Sequence, residues 1–421
     1  MRLFLLSLLA FALVSPPLFA ADKSHLDLRD EARAAYERKN YAAAKAATVA
    51  ALALRPDSPR YLHNLAAFSM LTGDESGAVS ALQRLAALGV TSPIERDPDL
   101  APLQGTPAFR RILQQFAASR EPQGEVGVFT ELPGRTGIIE GIAFRPRTGD
   151  VFLGDVHHRG IWRRDRIGQI TRFTADDEEL LGIFGLALDE PRGGLWAAMA
   201  AIPEMAGYTA DQKGQAALAE FELTSGKVRR VVSIEDDGRE HGLGDLVVAS
   251  NGTVYATDAK APIIWKLTLD AEDFEKVADS PQFSWLQGIV LKERLLVVAD
   301  YANGLFTVDP VSGEIKALAP PKDTTLLGLD GLVAIPGGLI ATQNGTDPQR
   351  VLRIDLSPAL DAITGVTVLA ASLPHLTDLA LITLVNDRPT VIAGSGWEGF
   401  DPAKTPQPRP HTVRIFQIAL P

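Results

Sequence analysis

The chain has 421 residues, with 41 Lys/Arg against 52 Asp/Glu and no cysteine. A net charge of −11 argues against nucleic acid or an anionic membrane surface as a partner, and tolerates cations. The lack of cysteine excludes disulfides, thiolate catalysis and a lipidated cysteine.

Residues 1–20, "MRLFLLSLLAFALVSPPLFA", read as a secretory signal: Arg2, an apolar run from Leu3 to Val14, a helix-breaking "SPP", and small Ala20. The run is well short of the roughly 20 residues that a spanning helix needs. An uncleaved anchor is the alternative. The expected location is periplasmic or secreted, with no membrane insertion after signal cleavage. A cysteine-free composition suits a periplasm.

Residues 21–120 carry 13 Lys/Arg against 11 Asp/Glu and read as a small all-α domain. "DEARAAYERKNYAAAKAATVAALALRPDSP" places small and apolar residues at helical spacing before a proline stop. "YLHNLAAFSMLTGDESGAVSALQRLAALGV" repeats the pattern. Asn40–Tyr41 and Gly73–Asp74 occupy the same inter-helix position, close to the helical-hairpin period of about 34 residues. These two units resemble tetratricopeptide repeats, and "DPDLAPLQGTPAFRRILQQF" looks like a closing helix. The resemblance implies a protein or peptide partner; a structural cap for the next domain fits equally well.

From 121 to 421 the period changes to two, and acids outnumber bases by 41 to 27. Six copies of strand, turn and strand begin at Glu140, Phe184, Gly244, Gln287, Asp330 and Thr377. Most are followed by an outer pair such as "GIWRRD" or "IIWKLTLD". Four strands per copy at this spacing predict an all-β six-bladed propeller. "VGVFTEL" (126–132) and "HTVRIFQIAL" (411–420) are spare strands from the two ends. Pairing them in one blade closes the ring and removes open edges. Trp-Asp repeat signatures are absent.

The innermost strand of a propeller blade lines the channel, and its first residues sit at one mouth. The positions after those six starts are Gly141, Gly185, Asp245, Gly288, Gly331 and Asp378. Glycine there lets neighbouring backbones approach the axis. Glu140, Gln287 and Asp330 bring oxygens from separate blades to one opening, which suits a hard divalent cation such as Ca²⁺. Solvated acids at a wet mouth are the alternative.

"EGIAF", "GDLVVASNGTVYATD", "QGIVL…LLVVADY" and "DGLVAIPGGLIAT" resemble the regucalcin and gluconolactonase (SMP-30-like) family over about 125–421. That family holds one divalent cation through a Glu, two Asn and an Asp. The resemblance implies that Glu140 and Asp330 are metal ligands, with Asp330 also a catalytic base. Gln287 stands where one Asn is expected. Gly244 stands at the other, with Asp245 beside it as a substitute ligand. The family's sugar-binding Arg falls on Gly242, so the substrate need not be a sugar lactone.

His157, His158 and Arg159 follow the second strand of the first copy, and His241 lies three residues before Gly244. An imidazole near the mouth could shuttle protons in ester hydrolysis; a polar hairpin loop explains the 157–159 group equally well. The second copy holds an insert near 200–220 with Met205, Tyr208 and Lys213, and long loops on rigid scaffolds often form lids. Arg159, Tyr208, Tyr301, Asn344 and Trp397 are candidate substrate contacts, with the aromatics able to stack on a sugar ring. Asp155, Asp258 and Asp300 recur at the end of the second strand and read as turn caps.

The expected function is metal-dependent, Ca²⁺-assisted hydrolysis of a small-molecule lactone or ester at the channel mouth. The proton-transfer candidates are Asp330, His157, His158 and His241. A non-catalytic peptide- or glycan-binding propeller is the alternative, and a quinone-dependent sugar dehydrogenase a third, without a matching motif.

Overall fold

The computed structural model describes residues 23–175, 179–397, 399–400 and 409–420. The expected signal, 1–20, lies outside them. Two helical hairpins come first: α1 (His25–Glu37) with α2 (Tyr41–Leu54), and α3 (Pro59–Leu71) with α4 (Glu75–Ala87). Helix α5 (Pro107–Ser119) packs on α4. Each helix opens on a side chain that accepts a backbone N–H, from Ser24, Asn40, Ser58, Asp74 and Thr106 in turn. Small buried residues, among them Ala44, Ala51, Ala78 and Ala81, let the hairpins close tightly over their own core. Among the described residues no helix is long and apolar enough to cross a membrane.

Six four-stranded antiparallel sheets follow, arranged as a six-bladed propeller. The inner strands are Ile139–Arg145, Gly182–Asp189, Leu243–Val248, Leu286–Lys292, Leu329–Ile335 and Ile382–Val385. Each touches the next, and the sixth returns to the first. In blade six the outermost strand is Val126–Arg135, paired antiparallel with His411–Ile418. The two ends of the propeller sequence thus share one sheet, as expected. Alternating side chains face opposite neighbours, so each gap between blades fills with its own apolar cluster. Phe152 and Phe221 lie between blades one and two, and Leu132, Ile142 and Ile392 between blades six and one.

Glycine at the second inner position has the expected role. A Cβ on Gly141 would lie 1.9 Å from the Phe184 carbonyl oxygen, and one on Gly288 would lie 2.4 Å from that of Asp330. One alignment is corrected. In blade six the inner strand begins at Ile382, and Leu381 just before it lines the channel mouth, so the channel position falls on Leu381 and not on Thr377. Thr377 and Asp378 lie in the preceding loop, where Asp378 has φ +50° and accepts from the Gly396 N–H.

The helical domain is built onto the mouth end of the ring, over blades four and five. His25 Nε2 donates to Asn303 Oδ1 at 2.8 Å, and Arg55 donates to the same oxygen at 2.8 Å. Burial lowers the His25 pKa, and its other nitrogen meets the Tyr61 hydroxyl at 2.8 Å. Asn303 Nδ2 donates to Ser284 and Asp300. Asp347 binds Thr91 and Arg120, and Arg350 reaches the Gly89 carbonyl.

Asn303→Ala leaves His25 and Arg55 without this acceptor, and a buried group stripped of its partner costs about 1–3 kcal/mol. Urea denaturation is expected to show a loss of that order. A loss below about 0.5 kcal/mol, the range of an ordinary surface change, would mean that this contact does not hold the domains together.

Candidate functional site at the channel mouth

The mouth opens into a cavity of about 520 Å³. Glu140 enters from blade one, Asp330 from blade five and Gln287 from blade four, while Phe184 and Leu381 supply apolar walls. Each carboxylate residue sits in the irregular two-residue step of its inner strand, between Ile139 and Ile142 or between Leu329 and Leu332. Such a bulge re-aims side chains out of the sheet's alternation.

Both acids are nearly sealed from solvent, at 8% exposure for Glu140 and 5% for Asp330. The Trp397 indole N–H donates to Glu140 Oε2. Asn344 Nδ2 donates to Asp330 Oδ2 at 2.6 Å and to the Leu379 carbonyl at 2.8 Å. Those two bonds leave Asn344 Oδ1 buried with no hydrogen-bond partner among the described residues. Burial, and then the charge of Asp330, hold the Glu140 pKa well above the usual carboxylate range. Burial raises Asp330 as well, against the pull of the Asn344 bond. One donor apiece is too little to offset the desolvation of two facing carboxylates.

Gln287 compensates in part for the missing side chain at 244. A Cβ on Gly244 would stand 3.6 Å from Gln287 Oε1, so the longer amide arm reaches the space beside it. Glu140, Asp330, Gln287 and the unpartnered Asn344 Oδ1 make an all-oxygen donor set, which fits a hard divalent cation. Among the described residues no group of three His, Cys, Asp or Glu is placed to hold a metal, so the two amides are needed to complete such a site.

Six predicted residues line this cavity: Glu140, Gln287, Tyr301, Asp330, Asn344 and Trp397. The others do not. Asp245 lies below it, where Oδ2 accepts the Ile289 N–H of the next blade at 3.2 Å and burial pushes its pKa up to about 7. Its carboxylate joins two blades and does not face a cation site. His241 is buried between Asp258 at 2.7 Å and Asp237 at 3.0 Å, with both ring nitrogens engaged. His157 is held by the Glu204 carbonyl at 2.6 Å and lies against Phe400. His158 and Arg159 line a separate cavity on the rim of blade one. Tyr208 packs on the cluster between blades one and two. From the same insert, Met205 is buried and Lys213 pairs with Glu240.

Lys260, Glu204 and Trp285 line the cavity and were missed. Trp285 packs against Tyr301 with ring centroids 4.9 Å apart and the planes tilted by 43°, and stays 48% exposed. Its place two residues before Gln287 was the available signal. Lys260 follows a recurrent Asp by two residues, but nothing in the sequence distinguishes it from a turn residue. The recurrent acids do cap turns. Asp258 accepts backbone N–H groups from Gly242, Lys260 and Ala261, and Asp300 from Ser284, Trp285, Ala302 and Asn303.

No protein-family model and no curated protein sequence matches the chain. Among solved structures it is similar to a gluconolactonase from Xanthomonas campestris, with 14% identity and a TM-score of 0.49 over 72% of this chain and 93% of that one. It is also similar to a PQQ-bound aldose sugar dehydrogenase from Streptomyces coelicolor, with 14% identity and a TM-score of 0.47 over 70% and 99%. A virginiamycin B lyase from Staphylococcus aureus aligns with 14% identity and a TM-score of 0.46 over 63% and 82%.

The raised carboxylates give stability a definite pH dependence. A group whose pKa is higher folded than unfolded stabilises the fold fully below its unfolded pKa, near 4 for a carboxylic acid. That contribution is lost as pH rises through the folded pKa. Without added cations, stability is expected to fall between about pH 5 and about pH 8, with Asp330→Asn and Asp245→Asn each flattening the slope. Denaturant titrations at a series of pH values test this; a slope untouched by either variant would contradict the assignment.

Proposed function

We propose that the chain is a hydrolase of lactones or related carboxylic esters that works with a divalent cation, Ca²⁺ by preference, at the channel mouth. The observation that carries this reading is the pair of buried carboxylates, Glu140 and Asp330, sharing one cavity with the unpartnered Asn344 Oδ1. Glu140, Asp330, Gln287 and Asn344 would hold the cation. When bound, such an ion supplies Lewis-acid polarisation of a carbonyl and compensates the paired negative charge.

The remaining chemistry belongs to the chain. Asp330, with its raised pKa, is suited to take a proton from an attacking water and return it to the leaving alkoxide. Asn344 fixes that carboxylate's orientation, and Trp397 does the same for Glu140. Lys260, the one cation lining the cavity among the described residues, offers a donor to developing negative charge. Tyr301 stays protonated, since burial and then the Asp330 charge push its pKa up to about 12. With Trp285 it presents an aromatic surface against which a ring substrate can pack.

That partly exposed aromatic face also favours a second reading, a glycan-binding propeller without turnover. The two readings separate in one set of measurements. Saturating Ca²⁺ is expected to raise the melting temperature by several degrees, since a ligand at 100 times its dissociation constant adds about 2.7 kcal/mol. Glu140→Gln and Asp330→Asn are expected to abolish the rise. On a panel of lactones and aryl esters followed by pH-stat, Asp330→Asn should lower kcat by about 10²–10⁴-fold. A Ca²⁺ shift without turnover on any ester would favour the binding module. Absence of a shift with Ca²⁺, Mg²⁺, Mn²⁺ or Zn²⁺ would remove the metal from the reading.

A further inference from the structure

A second cavity, of about 480 Å³, opens at the rim of blade one, between the end of the blade-six outer strand and the loop after Asp155. Its charged lining is the reverse of the channel mouth. Arg135, Arg159 and Arg172 face it together with His158, against a single carboxylate, Asp155. That carboxylate is fully buried and already engaged by the His158 ring at 2.9 Å and by the Trp162 indole N–H at 3.0 Å. It has little left to neutralise Arg135 and Arg159.

The arginines are ordered around one indole. Arg135 Cζ lies 4.4 Å from the Trp162 ring centroid and Arg172 Cζ lies 5.6 Å from it. Stacking of this kind fixes the plane of a guanidinium without using its N–H groups, as for Arg135. Arg172 also donates to the carbonyls of His158 and Arg159, which braces the loop. Arg159 itself sits at φ +50°, a backbone conformation uncommon outside glycine. Arg135 Nε is buried with no hydrogen-bond partner among the described residues. The chain holds 52 acidic residues, yet among the described residues none forms an ion pair with Arg135 or Arg159. Holding Arg135 and Arg159 at one cavity without carboxylate partners costs free energy, and a bound anion would recover it.

We propose that this cavity is an oxyanion-binding site, taking the carboxylate or phosphate group of a small organic acid. The forked N–H edges of Arg135 and Arg159 match the paired oxygens of either group, and the Thr136 hydroxyl beside His158 offers a further donor. The site is separate from the channel mouth and independent of the reaction proposed there.

Isothermal titration of the signal-free chain at low ionic strength, with inorganic phosphate and separately with malonate, tests the proposal. One-to-one binding of at least one oxyanion is expected, with a dissociation constant below about 1 mM. Arg159→Asn and Arg135→Gln should each weaken it about tenfold or more, while Glu140→Gln in the other cavity leaves it unchanged. Preference for phosphate or for malonate identifies which group the site takes. Asn accepts the left-handed backbone at 159, so that variant carries the test alone if Arg135→Gln melts early. The proposal is overturned if neither anion binds saturably, if binding survives both arginine variants, or if it disappears in Glu140→Gln.

Discussion

Buried aspartates that never reach the cavity hold its mouth in shape. Asp155, Asp258 and Asp300 each end the second strand of a blade and are sealed from solvent. Each gathers N–H donors from the turn that follows, and Asp258 and Asp300 also take them from the loop before the inner strand. Burying a carboxylate costs little when its oxygens are satisfied this completely, so moving these loops would break the bonds that make the burial tolerable. Lys260, Trp285, Tyr301 and Asn303 all sit on segments clipped in this way. Blade five uses a different pair for the same task. Gln343 donates to the Thr325 and Leu327 carbonyls and accepts from Arg350, which continues to the helical domain.

Against that background, Glu140 and Asp330 stand out by what they lack. They are nearly as deeply buried as the clips, but each receives one side-chain N–H, and the two share each other's charge. Two classes of buried carboxylate therefore coexist in one ring. The satisfied class holds backbone; the under-satisfied class keeps a raised proton affinity, as groups at functional sites often do. Asp245 is intermediate, with a bond spent between blades and a pKa raised first by burial and then by the charge of Asp330.

The helical domain belongs to the same design. It rests on the loops of blades four and five that also carry Tyr301 and Asn344, and its His25 and Arg55 converge on Asn303, three residues from the Asp300 clip. Packing of the hairpins and the shape of the mouth are thereby linked through a few hydrogen bonds rather than through a broad apolar face.

The sequence by itself determined the architecture, because period-two alternation, tight turns and a recurrent strand pair are local properties repeated six times. It determined the ring closure too, since a spare strand at each end has only one partner that leaves no edge. It also placed Glu140, Asp330 and Gln287 at the channel mouth, because a polar residue at the head of an apolar strand breaks a local pattern. The tertiary structure decided which polar residues outside that pattern share a cavity. His157, His158, Arg159 and His241 are close to the mouth along the chain, but turn geometry and the Asp clips direct them elsewhere, two of them into a second cavity. Asn344 and Lys260 reach the first cavity only because their loops are pinned. The blade-six start was misplaced by four residues, at Thr377 instead of Leu381, because that inner strand is short and its approach is a loop whose course is set by the neighbouring blades. Side-chain direction in loops is a property of the assembled ring, and no local pattern encodes it.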